Sequence, residues 1–183
     1  FELVQGVSYD TTVSMNSSAT FVFREAGHIF GSAFCEMDIE GRRVVFSGDL
    51  GNDYVPILRP TSAITHADTI VMESTYGDRV HEPPQERIAR LATAVRETAA
   101  KKGVLLIPAF SLERAQELLY ELHTLAEEKK IPALPTYLDS PLAVKVLPIY
   151  KKFSEYYDRE AAALKASGDD FFKFPGLRMT QSA

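Results

Sequence analysis

Hydrophobic and polar residues alternate along the first part of the chain, which is the pattern of half-buried β-strands. The alternation runs through residues 19–25 and again through residues 32–39. Glu-Gly at positions 40–41 then supplies a tight turn, and residues 42–47 return as a partner strand, so we predict a β-hairpin here. Residues 69–72 are apolar without alternation, which predicts a strand buried on both faces.

The spacing of apolar residues changes to a helical period of about 3.6 beyond residue 84. The predicted elements in this part are helix 85–102, strand 104–107, helix 111–130, strand 136–138 and a helix that begins at Pro141. Ser111 is the predicted N-cap of the second of these helices, because its hydroxyl can accept a hydrogen bond from a backbone N–H of the first turn. Helices that alternate with strands at this spacing indicate βαβ units on a mainly parallel sheet.

The change of pattern coincides with Glu-Pro-Pro at positions 82–84, which marks a domain boundary. A length of 183 residues suffices for one large domain or for parts of two. We therefore predict an α/β chain with a β-rich domain over residues 1–83 and an α/β domain over residues 84–183.

Composition excludes several function classes. The formal net charge is −5, so the chain lacks the general basic surface of many nucleic-acid-binding domains, although a local basic groove is compatible with it. The single cysteine excludes an internal disulfide and favours a reducing compartment. The longest apolar runs are far shorter than the roughly 20 residues that cross a membrane as a helix. We therefore expect a cytoplasmic protein with no membrane association.

Three polar loops follow three successive predicted strands. These loops are residues 26–32 (Ala-Gly-His-Ile-Phe-Gly-Ser), 47–51 (Ser-Gly-Asp-Leu-Gly) and 73–77 (Glu-Ser-Thr-Tyr-Gly). His28 and Asp49 carry ligand groups that suit zinc and related divalent metals, and the neighbouring glycines let the backbone approach a bound centre. Each of these residues, like Glu73, also has a structural interpretation on its own, as a satisfied histidine, a turn aspartate or a loop glutamate. Their arrangement at neighbouring strand ends favours a shared polar site.

The three loops, followed by residues 108–119 (Pro-Ala-Phe-Ser-Leu-Glu-Arg-Ala-Gln-Glu-Leu-Leu) and 138–143 (Leu-Asp-Ser-Pro-Leu-Ala), resemble successive motifs of the metallo-β-lactamase fold. More narrowly, they resemble the β-CASP branch of RNA-processing nucleases, which includes ribonuclease J and the endonuclease of pre-mRNA 3′ ends. The resemblance covers nearly the whole chain. It implies a partial metallo-β-lactamase αββα sandwich, with residues 1–83 as the C-terminal part of its first segment. An incomplete β-CASP α/β domain with a mainly parallel sheet would follow over residues 84–183.

The resemblance also implies a reaction and a role for each candidate residue. Members of the family hydrolyse RNA phosphodiester bonds with a metal-activated hydroxide, and an intact active site holds two Zn²⁺ ions about 3.5–4 Å apart. By this resemblance, His28 would ligate one zinc ion, Asp49 would bridge both, and Glu73 would support the histidine that acts as general acid. A glutamate in Glu-Ser-Thr is similar to the RNA-directed branch, whereas DNA-directed relatives tend to carry aspartate.

The main metal motif of the family, His-x-His-x-Asp-His, is absent from the sequence. The four histidines are His28, His66, His81 and His123, and no two of them have that spacing. A closed zinc site needs about four donors, so two ligands would hold zinc weakly if at all. We therefore expect an internal fragment of a longer nuclease that is inactive by itself. The sequence leaves open whether the parent protein contains the motif.

Three further residues are candidates for the site. His81 follows the third loop, where the family often has a histidine, and is either a structural hydrogen-bonding residue or a residue beside the metal ligands. Ser111 and Arg114 lie at the start of a predicted helix, where backbone N–H groups and a guanidinium can bind an RNA phosphate. The alternative for this pair is a simple cap and an arginine that pairs with a nearby glutamate.

Two other functions remain open. One is a non-catalytic RNA-binding or assembly subunit of the same fold, and the other is a metallo-hydrolase of small substrates that shares only the scaffold. The element over residues 84–183 argues against the second, because the small-substrate relatives implied by the resemblance lack it. The sequence leaves open whether cleavage is endonucleolytic or exonucleolytic, which RNA is cut, and whether the parent forms a homodimer. Missing strands would leave sheet edges exposed, so we expect self-association of the fragment.

Overall fold

The computed structural model describes residues 3–52 and 54–180. The chain divides into two compact units, which are residues 1–79 and residues 80–183. Each unit has its own packed interior, and each is described by itself below.

The first unit is built around a five-stranded sheet with the strand order β1-β2-β3-β4-β5. Its strands are β1 (Thr12–Asn16), β2 (Ala19–Glu25), β3 (Ala33–Ile39), β4 (Arg42–Phe46) and β5 (Thr69–Val71). The first four pair antiparallel, whereas β5 pairs parallel to β4. The predicted hairpin is confirmed, because β3 and β4 are joined by Glu40 and Gly41, whose φ angles of 54° and 79° are the positive values that a two-residue hairpin turn requires.

The prediction that residues 69–72 are buried on both faces is wrong in this structure. β5 is an edge strand that pairs with β4 alone in the described sheet, and Ile70 and Val71 are 51% and 52% exposed. The apolar sequence of residues 69–72 thus predicted the strand correctly. Its burial would require other elements to pack on its faces, and the described residues of this unit do not provide them. The described part of the unit contains strands and no helix, so the αββα sandwich stays a prediction.

The core of the first unit lies beside the polar loops. Ala26, Phe34 and Val45 are completely buried, and Leu50 and Ala67 pack against them. Two of these five residues, Ala26 and Leu50, belong to the loops that carry His28 and Asp49. The apolar core therefore anchors the loops at positions next to their polar side chains.

The second unit contains four helices and one short sheet among its described residues. Its elements are α1 (Pro84–Ala100), α2 (Arg114–Glu127), β6 (Thr136–Leu138), α3 (Pro141–Lys152), a 3₁₀ turn (Ser154–Tyr156), α4 (Arg159–Ala166) and β7 (Leu177–Met179). Strands β6 and β7 pair parallel. The predicted helices near 85–102 and 111–130, the strand 136–138 and the helix from Pro141 are confirmed, with ends that shift by a few residues.

Two predictions for the segment before α2 are wrong. Residues 104–107 form no strand, and Val104 and Leu106 are 93% and 87% exposed, because no described strand pairs with them. The mainly parallel sheet is therefore reduced to the β6–β7 pair in this unit, while the larger sheet of the first unit is mostly antiparallel.

Ser111 is not the N-cap of α2. That position belongs to Glu113, which has a φ of 67° and no side-chain capping bond, and the Ser111 hydroxyl lies 2.9 Å from the Ser140 hydroxyl instead.

An aromatic cluster and a buried carboxylate hold the helices of the second unit together. Phe171 and Phe172 contact each other with ring centroids 4.6 Å apart, and Tyr150 of α3 meets Phe172 edge to face. The Tyr150 hydroxyl donates to Glu113 Oε2 over 2.7 Å, although both residues are almost completely buried. Burial and the neighbouring Glu113 carboxylate raise the pKa of Tyr150, so the phenol keeps the proton that it donates.

No helix in the described ranges is long and apolar enough to span a bilayer.

The buried bond between α3 and the residue that precedes α2 leads to a stability prediction. Tyr150→Phe removes one donor from a buried carboxylate and should lower the free energy of unfolding by about 1–3 kcal/mol. Urea denaturation followed by circular dichroism measures this loss. The matched control is Tyr137→Phe, because Tyr137 is exposed and its hydroxyl accepts a longer bond, of 3.3 Å, from Arg178. Equal losses in the two variants would contradict the role of the buried bond.

Candidate metal centre

The first two polar loops bring an imidazole and a carboxylate together. His28 Nε2 lies 3.9 Å from Asp49 Oδ2, and the two side chains are 40% and 74% exposed. The third loop reaches the same place, because Glu73 Oε1 accepts a hydrogen bond of 2.7 Å from the backbone N–H of Leu50. The structure therefore places His28, Asp49 and Glu73 around one corner of the first unit.

A backbone contact between two glycines sets this arrangement. A Cβ atom on Gly51 would lie 1.6 Å from the carbonyl oxygen of Gly27 and 2.7 Å from the backbone nitrogen of His28. The Gly51 N–H also donates to the Ala26 carbonyl over 2.9 Å. Gly27 itself has a φ of 64°, and a Cβ there would lie 2.9 Å from the Thr61 nitrogen. Only glycine fits either position, so the two loops can approach closely enough for their polar side chains to meet.

Polar side chains fix the loop that carries His28. The Ser32 hydroxyl oxygen accepts from the backbone N–H groups of His28 and Ile29, each over 3.2 Å. Glu25 Oε1 accepts from the Gly27 N–H over 2.9 Å, and the Thr61 hydroxyl donates to the Ala26 carbonyl over 2.8 Å. Sequence reasoning did not single out these residues. The signal for Ser32 was its place beside Gly31 in the first loop, since hydroxyls in turns bond nearby backbone groups.

Ser47 joins the second loop to the third and was also missed. It is only 3% exposed, and its hydroxyl donates to the Gly48 carbonyl over 2.7 Å while accepting from the Glu73 N–H over 3.0 Å. A hydroxyl can serve as donor and acceptor at once, so a single small residue satisfies both loops. The motif Ser-Gly-Asp therefore contains a structural residue beside the candidate ligand.

Glu73 is held in its charged form. The Leu50 N–H and then the Thr75 side chain lower the pKa of this carboxyl, and the nearby His28 contributes further. Because the ionised carboxylate accepts the Leu50 bond, it fixes the backbone next to Asp49. In the described structure Glu73 thus positions the loop of a candidate ligand, while its predicted support of a proton-donating histidine stays a prediction.

The donor set suits part of a metal site. Imidazole nitrogen and carboxylate oxygen both coordinate zinc, and two exposed donors 3.9 Å apart can face one cation. A closed zinc site takes about four donors. Among the described residues, however, no group of three or more histidine, cysteine, aspartate or glutamate side chains is arranged to hold a metal ion. His28 and Asp49 therefore offer two of the four donors that such a site takes, and their role as metal ligands stays a prediction.

The remaining candidates lie in the second unit. His81 belongs to that unit, and its predicted role beside the metal ligands stays a prediction. Arg114 opens α2, and its Nη1 lies 2.7 Å from Oε2 of the buried Glu117. This contact is the pairing with a nearby glutamate that the sequence offered as the alternative. The proposed binding of an RNA phosphate by Ser111 and Arg114 stays a prediction.

Comparisons with known proteins agree with the motifs. Residues 115–183 match the Beta-Casp domain. The chain is 40% identical over 162 residues to "Ribonuclease TTHA0252" of Thermus thermophilus, a match that covers 88% of this chain and 37% of that protein. It is 30% identical over 158 residues to "Endoribonuclease YSH1" of Eremothecium gossypii, covering 84% of this chain and 20% of that protein.

A third relative extends the similarity to another lineage. The chain is 31% identical over 175 residues to "Cleavage and polyadenylation specificity factor subunit 3" of Dictyostelium discoideum, covering 94% of this chain and 22% of that protein. The chain thus spans between a fifth and about two fifths of the length of these relatives. The resemblance to β-CASP nucleases that the motifs indicated is confirmed by these matches.

The glycine contact can be tested by stability. Gly51→Ala forces a methyl group into the Gly27 peptide. It should lower the free energy of unfolding of the 183-residue chain by about 1–3 kcal/mol. Thermal denaturation followed by circular dichroism measures the change. Gly6→Ala is the matched control, because a Cβ on Gly6 would meet nothing within 4 Å. A Gly51→Ala chain as stable as the control would show that the two loops do not need this contact.

The charged state of Glu73 leads to a pH prediction. A carboxyl whose folded pKa is lowered adds stability above its ordinary pKa of about 4.5, and that stability disappears as pH falls through the folded value. Glu73→Gln should therefore reduce the melting temperature at neutral pH and flatten its decline below pH 4.5. Melting curves between pH 7 and pH 3 measure both effects. Glu40→Gln, in the exposed hairpin turn, removes one carboxylate without touching the site, and identical curves for the two variants would refute the prediction.

Proposed function

We propose that this chain, which carries a Beta-Casp domain of the RNA-processing nuclease family, is a segment of a metal-dependent ribonuclease that hydrolyses RNA phosphodiester bonds. The observation that carries the proposal is the 3.9 Å approach of His28 and Asp49, held by the glycine contact between their loops. The two relatives named as ribonucleases, whose matches cover 84% and 88% of this chain, support the proposal.

The chemistry of the substrate explains why this pair belongs to a nuclease. A phosphodiester is an anion and repels a negatively charged nucleophile, so its hydrolysis needs positive charge at the phosphoryl oxygens. A divalent cation supplies that charge and lowers the pKa of water to near neutrality. We assign Zn²⁺ to the site because imidazole and carboxylate together suit this borderline metal.

Each residue then has a distinct task. His28 would be a terminal ligand, and the Ser32 hydroxyl fixes its loop by accepting from the His28 backbone N–H. Asp49 would be a bridging ligand, since its side chain is 74% exposed and has two oxygens to offer. Glu73 would keep the backbone beside Asp49 in place through the Leu50 bond. Further donors would come from parts of the protein beyond this pair.

The domain assignment belongs to the same proposal. We retain residues 1–83 as part of a metallo-β-lactamase αββα sandwich and residues 84–183 as a β-CASP domain that is incomplete in this chain. The match of residues 115–183 to the Beta-Casp domain supports the second part. We also retain a cytoplasmic location for the protein, while homodimer formation stays a prediction.

A second candidate function is a non-catalytic RNA-binding or assembly subunit of the same fold. The observation that favours it is the lack, among the described residues, of a third histidine, cysteine, aspartate or glutamate grouped with His28 and Asp49. A small-substrate hydrolase has less support, because the relatives described above are named for RNA cleavage or for cleavage and polyadenylation.

Removal of the proposed bridging ligand tests the enzyme. Asp49→Ala in the full-length protein should reduce both zinc content and the cleavage of a labelled RNA. The rate should fall at least about 100-fold, because even residues that only support metal ligands change metal affinity or activity by 10–100-fold. Metal analysis by mass spectrometry and a gel-based cleavage assay measure the two quantities.

Glu97→Ala is the matched control, since it removes an exposed acidic side chain from the surface of α1. It should keep wild-type metal content and rate. Full cleavage activity in the Asp49→Ala protein would reject the metal-ligand role. RNA binding without cleavage or bound metal in the wild-type protein would select the non-catalytic subunit instead.

A further inference from the structure

A cavity in the second unit is not used by the candidate metal centre. It has a volume of about 640 Å³, within the range of small-molecule pockets, and it lies between the facing sides of α1 and α2 and the loop that precedes α2. Its wall is mainly apolar, with Leu91 of α1 and Leu118 of α2 on the helix side and Phe110 on the loop side. This wall suits an apolar surface of a ligand.

Two arginines border the cavity, and each is held by a buried carboxylate. Arg87 Nη2 lies 2.8 Å from Glu121 Oε1, and Arg114 Nη1 lies 2.7 Å from Glu117 Oε2. The two glutamates are 6% and 5% exposed, whereas the two arginine side chains are 42% and 50% exposed. Each ion pair engages one nitrogen of a guanidinium that carries five N–H donors, so the arginines keep donors for a ligand.

Phe110 presents an aromatic ring at the same cavity. The residue is 83% exposed, so its ring is accessible to a ligand at this cavity. Aromatic rings in this situation stack on nucleobases in proteins that bind single-stranded nucleic acids, without requiring a particular base. A ring next to anchored guanidinium groups offers both a stacking face and donors for the polar edge of a base.

The net charge of the cavity lining favours a nucleobase over a phosphate as the ligand. Two guanidinium groups and two paired carboxylates give the cavity no net positive charge, so it does not attract an isolated phosphate strongly. A nucleobase is uncharged, has two apolar faces and carries acceptors at its edge, which matches the lining. The phosphate sites of nucleic-acid-binding proteins instead depend on unpaired positive charge.

We propose that this cavity binds one unpaired nucleobase of the single-stranded RNA substrate, with Phe110 stacked on the base and Arg87 and Arg114 donating to its edge. The proposal rests on the proposed ribonuclease function and adds a specific contact for the substrate. Phe110 would thus bind the substrate, whereas His28 and Asp49 would take part in its hydrolysis.

The test compares three substitutions in the full-length protein. A fluorescein-labelled 12-nucleotide oligo(A) RNA serves as the probe, and EDTA prevents cleavage during the binding measurement. Phe110→Ala should raise Kd about tenfold through loss of one stacked base, while Phe110→Tyr should keep the wild-type Kd. Val104→Ala is the control, since Val104 is an apolar residue of the same segment that is 93% exposed and cannot stack.

Salt dependence adds a readout that a change of folding would not reproduce. Loss of a stacked base should leave the slope of log K against log salt unchanged, whereas loss of a phosphate contact in a single-stranded complex reduces it by about 0.7. An unchanged Kd in Phe110→Ala, or a reduced slope, would overturn the proposal. Equal weakening by Phe110→Tyr and Phe110→Ala would also overturn it. A Phe110→Ala variant that changed only in self-association would overturn it as well, because the ring would then contact another protein chain and not RNA.

The outcome also separates this proposal from the proposed function. A wild-type protein that neither binds nor cleaves RNA would end the ribonuclease assignment itself. A wild-type protein that cleaves RNA, with a Phe110→Ala variant of the same Kd, would end only the base-binding assignment.

Discussion

The close approach of the Gly51 and Gly27 backbones is the constraint on which the candidate site depends. A side chain at Gly51 would overlap the Gly27 peptide, with its Cβ 1.6 Å from the carbonyl oxygen. With glycine, the two loops touch, and His28 Nε2 comes within 3.9 Å of Asp49 Oδ2. The two candidate ligand groups are therefore brought together by the backbones beneath them, while their own ends remain exposed.

Hydrogen bonds extend this rigidity to the third loop. Ser47 accepts from the Glu73 N–H, and the Glu73 carboxylate accepts from the Leu50 N–H, so two bonds run in opposite directions between the loops. Because Leu50 also packs on the buried core, the backbone next to Asp49 is fixed from both sides. The candidate site therefore has a rigid base and an open outer side, as the proposed metal-dependent cleavage of RNA would require.

The second unit buries acidic side chains at the start of α2 and along it. Glu113, Glu117 and Glu121 follow each other at intervals of four residues and are nearly inaccessible. Their partners come from different places, with Tyr150 on α3, Arg114 at the start of α2 and Arg87 on α1. Buried carboxyl groups are costly unless they are hydrogen-bonded or paired with a cation, so these contacts tie the relative positions of α1, α2 and α3 to one another. The same pairing presents the two guanidinium groups at the cavity that we assign to a nucleobase.

Local patterns were sufficient for the elements whose signals lie close together in the sequence. The alternation around Glu40 and Gly41 predicted the hairpin, the helical period predicted α1 and α2, and the order of the motifs predicted the family. They were insufficient where burial or pairing decided the outcome. Residues 104–107 have the composition of a strand but no described partner, and Ser111 bonds to Ser140, 29 residues away, instead of capping α2.

The sequence by itself determined which groups are available for chemistry, namely His28, Asp49 and Glu73 in glycine-rich loops after strands. Only the tertiary structure decided how these groups meet, through Gly27 against Gly51 and through the hydroxyl of Ser47. The reason is physical. Residue type sets what a side chain can donate, accept or coordinate, whereas distance depends on contacts between segments far apart along the chain, and no local pattern of hydrophobic and polar residues records those contacts.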